Sequence, residues 1–398
     1  MMTTRNVPYD KRTAWLAMLA GVVAAAHVGK LPPAIPAIKN QMGFALDEVG
    51  LLLGIVQFAG MFLGMLLGLG AGRIGLRRAL ILGLTLQTVA GLVAAGSVHL
   101  WQLMLLRALE GLGFLFVSLT APSIIRRSLS PEELPFMMGV WGAYVPFGMA
   151  LAMLIGPAVV MHYSWEILWW VVSACSGVVA LGIFMLALPD EVYASETFSD
   201  WRTRLSATVR TPIAWLLGAT FMVYSAQWMT VMGFMPLLLI EELGFHDVQL
   251  GVLSAVVLAM NIVGNIAAGY CIQHGVRARL LLWLGFSALA VSTFFVFAEV
   301  GQGAWGHYAG MLAFSTFGGL IPGALFVLLP HVTPQPMLVP TTLGLMMQGS
   351  GTGQLMGPAV VGSFAMLMQG WQYTWWVTGV LCGLGLVFAT LLTLHRTR

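Results

Sequence analysis

Long apolar runs separated by short polar or small-residue breaks occupy almost the whole of this chain. A helix needs about 20 predominantly apolar residues to cross the hydrocarbon core of a bilayer. Twelve runs of about that length are present, near residues 13–36, 49–70, 79–97, 100–124, 136–160, 166–188, 212–238, 249–272, 280–298, 308–330, 341–366 and 373–394. The pattern predicts an all-α membrane protein of twelve transmembrane helices. The first run begins near Thr13, is too long for the apolar core of a signal peptide and lacks a small-residue cleavage site, so it reads as helix 1. The one long polar stretch, 189–210, carries Asp190, Glu191, Glu196, Asp200, Arg202 and Arg204. It divides the chain into an N-terminal six-helix bundle (1–188), a cytoplasmic linker (189–210) and a C-terminal six-helix bundle (211–398).

The basic residues orient this layout. Of the 18 Lys and Arg, all but Lys30, Lys39 and Arg107 fall in segments on one side if the runs alternate across a membrane. Arg73, Arg77 and Arg78 follow helix 2, Arg126 and Arg127 follow helix 4, and Arg277 and Arg279 follow helix 8. The excess of Lys and Arg in cytoplasmic loops predicts that both termini are cytoplasmic. The two halves also repeat. Gly43-Phe44 and Gly50 recur as Gly244-Phe245 and Gly251, Gly68 recurs as Gly269, and Arg78 as Arg279. Gly156-Pro157-Ala158-Val159-Val160 recurs as Gly357-Pro358-Ala359-Val360-Val361. The constant offset implies six helices duplicated into twelve, an arrangement in which two bundles rock around a site at mid-depth.

Composition sets the medium. Hydrophobic residues make up 59% of the 398 and charged residues only 8%, against about 25% charged in a soluble domain. The net charge of +3 is explained by the membrane asymmetry and implies no nucleic-acid partner. Cys175, Cys271 and Cys382 lie in apolar runs without a CxxC pattern, so neither disulfides nor a metal site is expected. There is no P-loop and no H-E-x-x-H, and no grouped nucleophile and base, so the expectation is a protein that is not an enzyme and carries no cofactor.

Within the apolar runs the ionisable residues stand out, because a Lys or Arg at a helix centre costs about 2.5–3.5 kcal/mol on insertion scales. Lys30 lies in the latter half of helix 1, ahead of Pro32 and Pro33. Arg107 and Glu110 are three apart on helix 4 and share a face. Pairing Arg107 with Glu110 leaves Lys30 unpaired and facing a cavity, which suits an anionic solute. Glu110 is the candidate protonation site. His27, one turn before Lys30, is a second, because histidine ordinarily titrates near neutrality. Neutral polar groups supply candidate solute contacts: Tyr144 on helix 5, Tyr224, Gln227 and Trp228 on one face of helix 7, Asn261 and Asn265 on helix 8, and Gln348 on helix 11. Such groups also join helices to one another. Trp169, Trp170, Trp375 and Trp376 read as interfacial or packing aromatics. Gly60, Gly64, Gly68 and Gly72 form a four-residue stripe that lets another helix approach closely.

Several motifs carry a family resemblance. The segment 68–78, with Gly68, Arg73, Gly75, Arg77 and Arg78, resembles the loop between helices 2 and 3 of the major facilitator superfamily, G-x-x-x-D-[RK]-x-G-[RK]-[RK]. Gly72 and Leu76 replace the acidic and first basic residues of that pattern. Arg107-Ala-Leu-Glu110-Gly111-Leu-Gly113 resembles the superfamily's R-x-x-[QE]-G-x-G. Gly156-Pro157, and more fully the segment 353–362, resemble a motif associated with antiporters. Pro122-Ser-Ile-Ile-Arg126-Arg127 followed by Met138-Gly-Val-Trp141-Gly resembles the cyanate-permease-like branch of anion carriers. The resemblance implies two bundles around a central cavity and a gating role for the 68–78 loop. The expected function is secondary active transport of a small anionic solute through the bilayer of a bacterial inner membrane, by a monomer, with proton coupling through Glu110 or His27. Proton-driven efflux of drugs or metabolites is the alternative, motivated by 25 methionines and 14 tryptophans, since adaptable Met-rich surfaces suit varied ligands.

Overall fold

The computed structural model describes residues 10–43, 46–185, 198–243, 247–298 and 303–394. The repeat residues Phe44, Gly244 and Phe245, the acidic part of the linker and Arg5, Arg396 and Arg398 lie outside the described residues, as do the surroundings of Gly50 and Gly72 and the side chain of Arg73. The described chain is helical throughout. Span 1 is α1 (Lys11–Gly29) with α2 (Leu31–Met42), followed by α3 (Leu46–Ile74), α4 (Leu76–Ala94) and α5 (Leu100–Ser128). Span 5 is α6 (Leu134–Gly142) with α7 (Tyr144–His162), and span 6 is α8 (Trp165–Met185). A short helix, α9 (Phe198–Val209), leads into α10 (Pro212–Leu243), α11 (Asp247–Gln273) and α12 (Ala278–Phe297). Span 10 is α13 (Gly303–Gly318) with α14 (Leu320–Val332), and α15 (Val339–Leu367) and α16 (Trp375–Leu394) complete the twelve. Among the described residues, 10 spans are long and apolar enough to cross a membrane by length and composition. The remaining two, α10 and α15, run 32 and 29 residues and are packed against each other.

Three spans are broken, and one sequence rule accounts for all three. α1 ends at Gly29, α6 at Gly142 and α13 at Gly318. Each glycine stands four residues before a proline: Pro33, Pro146 and Pro322. Proline has no N–H for the carbonyl four residues back and its ring crowds that carbonyl, while glycine adds the backbone freedom that lets the helix part. Pro122, Pro157, Pro330 and Pro358 lack such a glycine four residues back and sit inside continuous helices.

The two bundles meet along two seams. α3 lies against α15, and α6 and α7 lie against α11. These seams are equivalent under the duplication. At the first, a Cβ on Gly64 would stand 2.7 Å from Gln348 Cγ, and Gln348 Nε2 donates to the carbonyls of Met61 (3.1 Å) and Phe62 (3.2 Å). At the second, a Cβ on Gly139 would stand 2.6 Å from Gly269 Cα. The glycine stripe is therefore a packing surface between halves. The halves are also tied at the end that carries Arg126, Arg127 and Arg277, where Gln273 Nε2 donates to the Glu132 carbonyl at 2.8 Å. We call this the basic end.

The resemblance to the helix 2–3 gating loop places five residues there. Gly68 packs against Pro340 and Gly344 of α15. Gly75 has φ +96° and makes the tight turn from α3 into α4. Arg77 Nη2 donates to the Phe184 carbonyl at 2.7 Å, reaching α8 of its own bundle, and Arg78 is exposed. The side chain of Arg73 lies outside the described residues.

Candidate functional site: a central cavity and a buried ion cluster

A cavity lies between the halves. Its wall includes Gln57 and Gly60 of α3, Gly111, Phe114 and Ser118 of α5, and Tyr144 of α7. From the other half come Phe221, Tyr224, Ser225 and Trp228 of α10, Asn261 of α11, Phe326 of α14, and Ser350 and Gln354 of α15. Of the predicted solute contacts, Tyr144, Tyr224, Trp228 and Asn261 reach this wall. No Asp, Glu, Lys or Arg is among its described lining residues.

The polar groups of the wall are tied together. Ser118 Oγ donates to the Phe114 carbonyl (2.8 Å) and accepts from the Tyr144 hydroxyl at 2.8 Å. Asn261 Nδ2 donates to the Tyr224 hydroxyl (3.1 Å) and to the Ser315 carbonyl (2.9 Å). Asn265, one turn on, donates to Asn261 Oδ1 at 2.9 Å and so orients it. Gln354 Nε2 donates to Ser350 Oγ (3.0 Å), which also lies 2.8 Å from Ser225 Oγ. Tyr224 accepts from Asn261, so its own proton is available to a solute. Among the described residues, the buried indole N–H of Trp228 has no acceptor. An unmatched buried donor is costly unless something occupies it, and a solute oxygen or nitrogen would.

Three further candidates point elsewhere. Gln227 donates to the Val223 carbonyl (3.0 Å) and its Oε1 accepts from Cys382 at 2.9 Å, facing α16. Gln348 clasps α3, as described above, and Asn265 lies behind Asn261. The sequence grouping of Tyr224, Gln227 and Trp228 on one face is thus divided.

The ionisable candidates form a single cluster inside the N-terminal bundle, and none of them lines the cavity. His27, Lys30, Arg107 and Glu110 are all fully buried. Lys30 Nζ donates to Glu110 Oε1 at 2.5 Å, and Arg107 Nη1 donates to Glu110 Oε2 at 2.8 Å. This corrects the expectation of an unpaired Lys30: Glu110 pairs with both cations. Lys30 sits at the break between α1 and α2, where Pro32 and Pro33 bring no N–H, and Arg107 Nη1 donates to the His27 carbonyl there at 2.5 Å. His27 Nδ1 lies 3.1 Å from both Lys30 Nζ and Glu110 Oε1, and its Nε2 lies 2.9 Å from Ser176 Oγ. A neutral ring protonated on Nε2 accepts from Lys30 and donates to Ser176. A ring protonated on Nδ1 donates to Glu110. The Lys30 ammonium also lies 4.6 Å above the Trp169 ring, which is fully buried. Trp169 is therefore a cation–π partner as well as a packing aromatic. Gly91 makes room for the cluster, since a Cβ there would stand 2.8 Å from Glu110 Oε1.

Sequence reasoning missed Gln57, Ser118, Ser225 and Phe326 on the cavity wall, and Ser176 and Gly91 at the cluster. Gln57 had a signal, as the lone amide of α3, whose charged residues lie only at its two ends. The serines had none, because Ser and Thr recur throughout such helices and bond their own backbones.

Known proteins place this architecture. The family model of the Major Facilitator Superfamily matches residues 17–339. The cyanate transport protein CynX of Escherichia coli (strain K12) is 26% identical over 330 residues, 80% of this chain and 80% of that protein. The multidrug resistance protein MdtM of Salmonella typhimurium is 24% identical over 229 residues, 56% of this chain and 54% of that protein. The human organic anion transporter MFSD10 (TETRAN) superposes with a TM-score of 0.80 at 17% identity, covering 97% of this chain and 100% of that one, which shows a shared fold. With its duplicated six-helix bundles and central cavity, the chain belongs to the Major Facilitator Superfamily and is a multi-pass membrane transporter.

Proposed function

We propose that this protein moves a small anionic solute across a bacterial inner membrane by secondary active transport. Units 1–188 and 211–398 rock around the central cavity, as bundles built from repeats do. The basic end and both termini face the cytoplasm, in keeping with the excess of Lys and Arg there. The observation that carries the anionic reading is the charge of the buried cluster. Two cations face one carboxylate, so with His27 neutral the cluster holds a net +1. Gly111, the residue after Glu110, lines the cavity, so this charge stands just behind the wall. At roughly 10 Å and an effective dielectric of about 20, one such charge favours an anion by about 2 kcal/mol. Trp228 and Tyr224 supply the donors that position it. The likeness to a cyanate transport protein supports the same class. Glu110 is the coupling site: a proton there neutralises the one acceptor both cations share, raising the cluster to +2 and loosening α1 from α5.

The test is uptake into proteoliposomes of radiolabelled cyanate and a panel of small carboxylates, with and without a proton gradient. Saturable anion uptake is expected, falling at least about tenfold in a Lys30→Met variant, which keeps the Arg107–Glu110 pair and takes the cluster from a net +1 to zero. Wild-type rates in that variant would sink the anion reading.

A second reading is efflux of apolar compounds. It is favoured by a wall free of charged side chains among the described residues and rich in aromatics, among them Phe114, Phe221 and Phe326, and by the likeness to a multidrug resistance protein. Drug resistance in expressing cells without any anion uptake would select it.

A further inference from the structure

A second, smaller pocket lies between the halves at the basic end. Phe326 lines both this pocket and the central cavity. Its ring stands edge-on to Trp141 (6.5 Å, 82°) and to Phe221 (5.9 Å, 77°), so an aromatic cluster drawn from both halves separates the two spaces. Pro330 deprives the Phe326 carbonyl of its helical donor, which weakens α14 at the residue that forms the barrier.

Among the described lining residues of the second pocket one is charged, Arg126, with Ser123 a turn before it on α5. The other lining residues include Met138, Leu329 and Leu343. Arg126 is half-buried, and among the described residues it has no hydrogen-bond or ion-pair partner. The next residue on the helix, Arg127, is a second cation. A basic residue at the end of a membrane helix is ordinarily an anchor at the headgroup level. Arg126 instead lines a pocket shared by the two moving halves. A guanidinium partly stripped of water, with no carboxylate beside it, is matched by a small anion that accepts two of its N–H groups. The eight residues from Ser118, on the cavity wall, to Arg126 span about 12 Å of helix.

We propose that Arg126, with Ser123, is a second station for a small monovalent anion, on the basic side of the Phe326 barrier. It holds the solute after the central cavity and before bulk water. The proposal rests on the anion reading given above and names a site which that reading does not contain.

Sided transport separates the two. In vesicles of each orientation, Arg126→Gln is expected to raise the KM for cyanate about tenfold when cyanate is presented at the basic face, the scale of one lost charge-assisted bond. At the opposite face the change stays under about twofold. Arg126→Lys falls between, and Arg127→Gln leaves both faces unchanged. An equal shift at both faces, no shift, or the same shift from Arg127→Gln would overturn the station. A readout independent of transport is modification of the wild-type protein by phenylglyoxal, with arginines mapped by mass spectrometry. Thiocyanate, which does not carbamylate amines, is expected to slow modification of Arg126 several-fold and not that of Arg127. Unprotected Arg126 in a protein that carries cyanate removes the station and leaves the anion reading standing. Protected Arg126 in a protein that carries no anion leaves an anion-binding site there and removes both the anion reading and the station.

Discussion

The two halves share a fold and differ in what they bury at matching positions. His27, Lys30, Arg107 and Glu110 correspond, at the 201-residue offset of the repeat, to Trp228, Val231, Tyr308 and Met311, all of them buried. One half encloses ions and the other encloses aromatic and aliphatic side chains of similar bulk. The helix positions survived duplication. The electrostatics did not, and the consequence is a transporter whose charge sits on one side of its cavity and whose free neutral donors, Trp228 and Tyr224, sit on the other.

The comparison is broken most severely at Glu110. Glu110→Leu leaves Lys30 and Arg107 buried together with no counter-charge, and breaking a buried pair in this way costs about 3–5 kcal/mol. The expected outcome is loss of folded protein in detergent, read by size-exclusion chromatography and by a thermal midpoint lowered by many degrees. Met311→Gln, at the matching position, adds an amide instead of stranding charges and is expected to cost about 1–3 kcal/mol. A quadruple variant carrying the C-terminal set, His27→Trp, Lys30→Val, Arg107→Tyr and Glu110→Met, is expected to regain much of the stability lost by Glu110→Leu while transporting no anion. If Glu110→Leu were no less stable than Met311→Gln, the cluster would not be an ion-paired unit.

A smaller effect sharpens the same contrast. Gly91 leaves room for Ser173, Glu110 and His27, and its counterpart in the other half is the buried Ser292. Gly91→Ser is expected to destabilise by about 1–3 kcal/mol, as overpacking does. Ser292→Gly should cost about 0.5–1 kcal/mol, the ordinary effect of glycine in a helix. Denaturation in mixed micelles compares the two.

Much of this arrangement was legible in the sequence. The apolar runs gave all twelve spans, because a bilayer demands that every backbone polar group be satisfied within a helix. The repeat showed the duplication, and Gly68 and Gly269, paired by it, lie on equivalent contacts at the two seams. The rarity of intramembrane charge singled out Lys30, Arg107 and Glu110. What spacing could not show is that Lys30, 80 positions from Glu110, turns inward to it. Helical periodicity fixes which residues of one helix share a face and says nothing about which helix that face meets. The breaks at Gly142 and Gly318 were readable in principle, through the glycine four residues before a proline, but each looks like part of an ordinary small-residue stripe until the neighbouring helix is seen.

Within the neutral half, Trp228→Phe keeps the ring and removes the free N–H. The expected result is a KM for the anion raised about five- to tenfold with little change in stability, the scale of one hydrogen bond to a charged group. Uptake kinetics in proteoliposomes read it. An unchanged KM would mean that the indole donor is not used by the solute, and that Tyr224 alone positions it.

The smallest effect tests where the neutral half stops being a binding surface. On α10, Tyr224 and Trp228 lie four residues apart and about 40° apart around the axis, while Gln227 stands about 100° from Trp228. That rotation carries Gln227 off the cavity and onto α16, where it accepts from Cys382. Gln227→Met removes the amide and keeps the length of the side chain. Polar contacts between membrane helices average about 0.6 kcal/mol, so the expected loss of stability is of that size, with the KM within about twofold of wild type. A KM shift as large as that of Trp228→Phe would mean that α10 turns during transport and presents this second face to the solute. The neutral half would then have two binding surfaces used in alternation, and the division of labour between the halves would hold in only one of their arrangements.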